Sequence, residues 1–270
     1  MIERILPAAV AVGETWAELD EPLFPQEEAA IARSVPKRRS EFRSARGCAR
    51  TALARLGLDR PPMVPGPAGA PSWPPGVVGS MTHCAGYRAA AAARADDVAG
   101  VGIDAEPNAP LPSGVLDTVS SPGEREHLVA LAATRPDVCW DRLLFSAKES
   151  VYKTWFPLTG LWLGFEEAEL RFDPDAGTLA ADLLRPGLHR AGRPVGSLHG
   201  RWLVDRGLVV NAVVLPAVVG PAVVGPAVVG PAVVGPAVVG PAVVVPAGRP
   251  GGAPATERRS SGGGEPSSPA

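Results

Sequence analysis

An α/β (α+β) fold built as two similar halves is predicted by three observations. First, Phe42, Ala45, Ala49, Leu53 and Leu56 form an apolar stripe at helical spacing, followed by strand-like stretches at 77–84 and 98–106. Second, the later chain repeats this order. A helical stretch after Phe145 is followed by hairpins at 168–183, turning at Asp173-Pro174-Asp175-Ala176-Gly177, and at 202–214, turning at Asp205-Arg206-Gly207. Third, from Pro216 the composition collapses to Pro-Ala-Val-Val-Gly pentads and then to Gly, Ser and Pro. The expected organisation is an N-terminal half over 1–103, a C-terminal half over 104–215 and a low-complexity tail over 216–270.

Bulk properties exclude several classes. A net charge of −2 over 270 residues does not make a general polyanion binder. The cysteines, Cys48, Cys84 and Cys139, are odd in number and form no Cys-x-x-Cys. They fit buried thiols in a reducing, cytoplasmic setting better than a disulfide framework. The apolar run from Ile5 to Val12 carries Pro7 and no cleavage signal, so it is expected to be a buried strand, not a leader. The valine-rich pentads fail as a membrane span because proline recurs at every fifth position and removes helix hydrogen bonds.

In chain order, residues 13–35 are acidic, with a short helix expected from Pro25, and suggest no chemistry. Residues 33–60 then hold nine basic side chains against Glu41 and Asp59. Arg39, Arg43, Arg46 and Arg50 share one helix face. That face is either a solvated surface or a phosphate clamp, since a guanidinium matches phosphate oxygens bidentately. Gly57 is the expected stop. Proline excludes regular structure over 61–78, which is expected to be a connector. In the strand 77–84, Ser80, Thr82 and Cys84 alternate with Met81 and His83. The alanine-rich stretch 87–93 fits helix or strand equally.

Two stretches carry chemistry. In Val101-Gly102-Ile103-Asp104-Ala105-Glu106, alternation puts Asp104 and Glu106 on one strand face, roughly 6–7 Å apart. They form either a solvent-facing strand end or an oxygen-only site for a hard divalent ion such as Mg²⁺. In Phe145-Ser146-Ala147-Lys148-Glu149-Ser150-Val151-Tyr152-Lys153, Ser146 is an expected helix N-cap with Glu149 completing a capping box. Glu149 and Lys153 are expected to pair at i, i+4, and Lys148 to neighbour Tyr152. Pro157 is expected to end that helix near Phe156. A second capping box, Ser121-Pro122-Gly123-Glu124, opens a helix to about Ala133. Three carboxylates (Asp104, Glu106, Glu149) with Lys153, His83 and the arginine face suit phosphoryl-type transfer. No nucleotide P-loop or Gly-x-Gly-x-x-Gly occurs.

These two stretches resemble the signature motifs of the 4′-phosphopantetheinyl transferases, nearest the surfactin-synthetase and enterobactin-synthetase type. Ser80-Met81-Thr82-His83-Cys84-Ala85-Gly86-Tyr87 and the run 155–159 extend the likeness, which covers about 36–215. The resemblance implies a pseudo-dimeric fold with its site between two halves. It implies transfer of phosphopantetheine from coenzyme A to a serine of an acyl or peptidyl carrier protein, with release of adenosine 3′,5′-bisphosphate. By the match, Asp104, the Ala105 carbonyl, Glu106 and Glu149 would hold Mg²⁺. Glu149 would act as base, and Lys153 on the departing phosphate. Arg38, Arg46, Thr82, His83, Asp104 and Lys153 would contact coenzyme A. Siderophore, antibiotic and fatty-acid carriers stay open. A monomer with no nucleic-acid or membrane partner is expected. Two departures stand out: Ala68 and Leu161 lie where relatives often carry a basic residue. The alternatives are a Mg²⁺-dependent nucleotide phosphoesterase and a non-enzymatic polyanion-binding module.

Overall fold

The computed structural model of the chain describes residues 1–66, 69–84 and 86–217. The expected tail, beyond Ala217, lies outside the described residues, and so does Ala68. The chain begins with a 3₁₀ turn at Ile2–Ile5, then strand β1 (Ala11–Thr15) and helices α1 (Pro25–Ile31) and α2 (Pro36–Arg55). Three strands follow: β2 (Val77–Cys84), β3 (Tyr87–Arg94) and β4 (Val98–Pro107). Helices α3 (Val115–Val119), α4 (Pro122–Thr134) and α5 (Trp140–Thr159) come next. The last strands are β5 (Ala168–Asp173), β6 (Thr178–Leu183), β7 (His189–Arg190), β8 (Arg193–Pro194), β9 (Ser197–Asp205) and β10 (Leu208–Pro216).

One antiparallel sheet has the order β1-β3-β2, a second the order β4-β10-β9-β6-β5, and β7 pairs with β8 alone. Both expected hairpins are present as β5–β6 and β9–β10. The expected division at 103/104 falls inside β4, a strand of the second sheet.

The alanine run is a strand, β3, because both of its faces are covered. Ala89, Ala91 and Ala93 face a core with Val12, Ile103 and Val210, while Ala90 and Ala92 face Cys48, Ala49 and Ala52 of α2. Small side chains let the helix approach closely. A Cβ at Gly13 of β1 would overlap the Cys48 carbonyl oxygen. The second sheet repeats the device, since a Cβ at Gly102 of β4 would overlap the Ser150 carbonyl oxygen of α5. α5 therefore lies directly on β4.

Of the N-terminal strand expected over 5–12, only Ala11 and Val12 are in a strand, as the start of β1. Pro7 has no N–H to donate to a ladder, and its carbonyl accepts from Val10 N–H at 2.9 Å in a turn. Ile2 and Ile5 are buried instead by the 3₁₀ turn, and the terminal amine pairs with Glu14. The connector over 61–78 is also corrected. Its Trp73 packs on Gly79 of β2, where a Cβ would strike the indole ring, and it walls the cavity described below.

The acidic segment before α2 supplies countercharges for the basic helix. Arg50 is buried and donates to Glu27 at 2.7 and 2.9 Å and to Glu21 at 2.8 Å. Arg39 and Arg43 pair with Glu28 at 3.3 and 2.8 Å. The face expected as a phosphate clamp is thus largely neutralised from within. Burial alone would raise the Glu27 carboxyl, but amide bonds from Phe24 and Met63, with the Arg50 guanidinium, outweigh it and hold the group below its ordinary value of 4.5. Its contribution to stability is complete above that ordinary value and is lost as pH falls through the lowered one. Substituting Glu27→Ala removes the acceptor of Arg50 Nη2 and of the Phe24 and Met63 amides, leaving Glu21 as the one carboxylate on that guanidinium, and should cost about 3 kcal/mol at neutral pH. Urea melts should show this gap narrowing as pH drops below 4.5.

Candidate active site

Helix α5 runs antiparallel to β4 and places Arg142, Ser146, Glu149 and Lys153 on one stripe, at i, i+4, i+7 and i+11. The facing side chains of β4 are Glu106 and Asp104. Arg142 Nη1 donates to Glu106 Oε2 at 3.2 Å. Ser146 Oγ donates to Asp104 Oδ2 at 2.8 Å, and Lys153 Nζ donates to Asp104 Oδ1 at 2.7 Å and to the Ile103 carbonyl at 3.3 Å. Asp104 is buried and also accepts from Thr82 Oγ1 at 2.9 Å.

Thr82 and Ser80 join the two sheets. Their hydroxyls accept from the backbone N–H groups of Ala105 and Ile103, each at 3.1 Å, where β2 and β4 meet without a regular ladder. The alternation read for 77–84 is what aims both hydroxyls the same way.

Beside this junction lies a cavity of about 500 Å³, lined by Arg38, Arg46, His83, Glu149, Tyr152 and Lys153 among others. Burial, with the Asp104 charge, raises the Glu149 carboxyl, and Lys153 only partly offsets this. Burial and Asp104 push Glu106 up to about 7 against the pull of Arg142. Burial alone would lower Lys153, but Asp104, Glu149 and Glu106 more than reverse it. The Lys153 ammonium thus stands in the field of three carboxylates. Burial, reinforced by Arg38 and Lys153, holds His83 below its ordinary value. Its Nε2 meets Arg38 Nη1 at 2.8 Å, as an acceptor on a neutral ring would. His83 therefore adds a hydrogen-bonding atom and Arg38 the charge.

Two family profiles match the chain: the 4′-phosphopantetheinyl transferase N-terminal domain over residues 26–93 and the 4′-phosphopantetheinyl transferase superfamily over 100–195. The 4′-phosphopantetheinyl transferase Svp of Streptomyces mobaraensis is 60% identical over 213 residues, covering 77% of this chain and 87% of that protein. The 4′-phosphopantetheinyl transferase Npt of Nocardia iowensis is 51% identical over 219 residues, 77% of this chain and 97% of that protein. The 4′-phosphopantetheinyl transferase PptT of Mycobacterium tuberculosis is 48% identical over 219 residues, 77% of this chain and 95% of that protein. The chain belongs to the 4′-phosphopantetheinyl transferases.

In this transferase the expected site residues fall into two groups. Arg38, His83, Glu149 and Lys153 line the cavity directly, and Arg46 lines it while anchored. The Arg46 fork donates twice to the Met63 carbonyl, at 3.1 Å each, and stacks over Phe42 at 3.6 Å. Asp104 and Glu106 sit behind Lys153 on β4. Thr82 does not present a free hydroxyl to the cavity, because that hydroxyl is buried and committed to Asp104 and Ala105. The Ala105 methyl is in the core and its N–H is taken by Thr82, so a metal could use only its carbonyl. Among the described residues, no three His, Cys, Asp or Glu side chains are placed as a ready metal cluster.

Several expectations for the motif helix are corrected. α5 begins at Trp140, so Ser146 is an interior residue bonding Asp104, not an N-cap, and no capping box forms there. Pro157 lies inside the last turn, and the helix closes at Gly160 in a left-handed conformation. Proline removes one bond there, to the Lys153 carbonyl, too near the end to break the helix. Lys153 bonds Asp104 instead of Glu149. The capping box at Ser121 and Glu124 does form. Arg142 and Ser146 were missed as site residues, although their spacing from Glu149 put them on its stripe. Asn211 was also missed. It lies opposite Asp104 on β10, fully buried, with neither amide atom bonded among the described residues.

Lys148 has a structural role. It is buried, and its ammonium donates to Glu124 Oε2 at 2.8 Å and to the Phe165 and Ala168 carbonyls at 2.7 and 3.0 Å. It ties α5 to α4 and to the start of β5. Replacing Lys148→Met leaves Glu124 buried and unpaired and should cost about 3–5 kcal/mol, measured as a lower midpoint in chemical denaturation of the purified transferase.

Proposed function

We propose that the transferase binds coenzyme A in the cavity lined by Arg38, Arg46, His83, Glu149 and Lys153. There it moves the 4′-phosphopantetheine group to a carrier-protein serine. The observation that carries this reading is that one cavity is lined both by an anion-binding set and by a carboxylate whose pKa is raised. Arg38 and Arg46 offer charge to phosphates, and His83 Nε2 accepts from Arg38 and so orients its guanidinium.

Glu149 is assigned as the general base. A carboxyl raised by burial is a stronger base than an exposed one. It takes the serine proton as the serine oxygen–phosphorus bond forms and the bond from phosphorus to adenosine 3′,5′-bisphosphate breaks. Lys153 neutralises charge that develops on the leaving phosphate. Its Asp104 and Ile103 bonds hold it at the cavity edge.

Three carboxylates that crowd one lysine, two of them raised by burial and the Asp104 charge, suit a bound divalent cation. Asp104 and Glu106, with Glu149 and the Ala105 carbonyl, would hold Mg²⁺, which would supply charge neutralisation on the pyrophosphate. Thr82 and Ser146 then serve to position Asp104, a change from the coenzyme A contact expected of Thr82.

We assign the cavity between an N-terminal half (1–103) and a C-terminal half (104–215), which meet at β2 and β4. We read the enzyme as a cytoplasmic monomer acting on acyl or peptidyl carrier domains of synthases, with no nucleic-acid or membrane partner. Pairing of Arg39, Arg43 and Arg50 with carboxylates supports this against a polyanion-binding module. Among the described residues no helix is long and apolar enough to cross a membrane.

Glu149→Gln keeps the shape and removes the base. With coenzyme A, Mg²⁺ and a carrier domain, transfer should fall by about 10²–10⁴-fold, read by intact mass of the carrier, while the circular-dichroism melt stays near wild type. Undiminished transfer by this variant would remove Glu149 from the role of base.

A further inference from the structure

Arg142 is the member of the α5 stripe that the transfer reaction does not use. Its guanidinium is fixed by two backbone carbonyls, Nε donating to Ala109 at 3.0 Å and Nη2 to Pro110 at 2.9 Å. The remaining edge is directed at Glu106, at 3.2 Å. The side chain is mostly buried, at 18% exposure, so solvent screens this pair poorly. A guanidinium does not lose its proton at any physiological pH, so its charge is permanent. Both carbonyls belong to the segment that leaves β4, so the arginine is anchored next to the carboxylate whether or not Glu106 bonds it.

The acids of β4 are thus each matched with a cation from α5: Asp104 with Lys153 and Glu106 with Arg142. The two cations differ in freedom. Lys153 ends a flexible stem at the cavity edge and can swing to a phosphate. Arg142 is held by carbonyls on the far side of Glu106 and does not line the cavity.

We infer that Arg142 is an internal counter-ion that sets the divalent-cation affinity of the transferase, by holding Glu106 until a cation displaces it. It is a positioning residue, and the inference rests on the assignment of Asp104 and Glu106 as metal carboxylates. A cation that takes Glu106 must break the Arg142 bond and then remain near a fixed positive charge. Both effects oppose binding of the metal alone. They keep the acids neutralised in the empty enzyme and favour metal uptake when phosphate charge is present to offset the guanidinium.

The test is Mn²⁺ binding, read as free Mn²⁺ by electron paramagnetic resonance, on full-length wild type and Arg142→Gln. The variant should bind Mn²⁺ about tenfold more tightly, the scale expected when one partly buried like charge is removed. Equal or weaker binding by a folded variant overturns the role of Arg142 and leaves the metal assignment standing. Binding by neither protein, with coenzyme A present as well as without it, overturns the metal assignment itself, and with it this inference. If Arg142→Gln does not fold, the wild type carries the test alone. The Nε–Hε resonance of Arg142 should shift as Mg²⁺ is titrated and Glu106 departs, and an unmoved resonance at saturating Mg²⁺ overturns the inference.

Discussion

The site depends on one steric fact: α5 lies on β4 with no side chain between them at Gly102. A methyl group there would overlap the Ser150 carbonyl and crowd Thr154. A helix at that distance brings its facing stripe within hydrogen-bond reach of side chains on the strand. Ser146 and Lys153 then reach Asp104, and Arg142 reaches Glu106. Raise the helix by the width of one side chain and those bonds lengthen together. Gly13 has the same relation to α2, which fixes Arg38 and Arg46 beside His83. Two close helix–strand contacts therefore position the two sides of one cavity.

Buried charge explains much of the rest. Charged groups taken out of water need partners, and this chain supplies them in a consistent pattern. The acidic residues before α2 meet its arginines, Glu124 meets Lys148, and α5 cations meet β4 acids. Where pairing is complete, the cluster is structural. Where burial and the Asp104 charge outweigh the neighbouring cations, at Glu106 and Glu149, the carboxyls are raised and able to take up a proton or a cation.

The fold class, both hairpins, α2 and the capping box at Ser121 were legible because each follows from local pattern and chain chemistry. Alternation along β4 correctly aimed Asp104 and Glu106 at a common face. What escaped was decided by tertiary contact. Ser146 has the identity of a helix cap, yet six residues before it are helical because Trp140, Leu143 and Leu144 bury against the second sheet. Spacing marks Lys153 as a partner for Glu149, yet a buried aspartate on β4 competes better. The arginine face of α2 was correctly drawn, but its neutralisation by Glu21, Glu27 and Glu28 depends on how the preceding segment folds back.

Two lysines five residues apart in α5 show how one rule yields opposite outcomes. An ammonium has three donors. At Lys148 all three have acceptors, one carboxylate and two carbonyls, and the group is sealed from solvent. Burial lowers its pKa and Glu124 only partly restores it. Moving it would strand three acceptors, so it cannot take part in a reaction. Lys153 has two acceptors, Asp104 and the Ile103 carbonyl, and it lines the cavity. Its pKa is held up by surrounding carboxylates, so it stays charged, and one donor is left for an incoming phosphate. Residue type is the same for the two, and both lie within the same helix, on different faces. The number of acceptors each finds across the α5–β4 and α5–α4 contacts separates a structural lysine from one able to act on substrate.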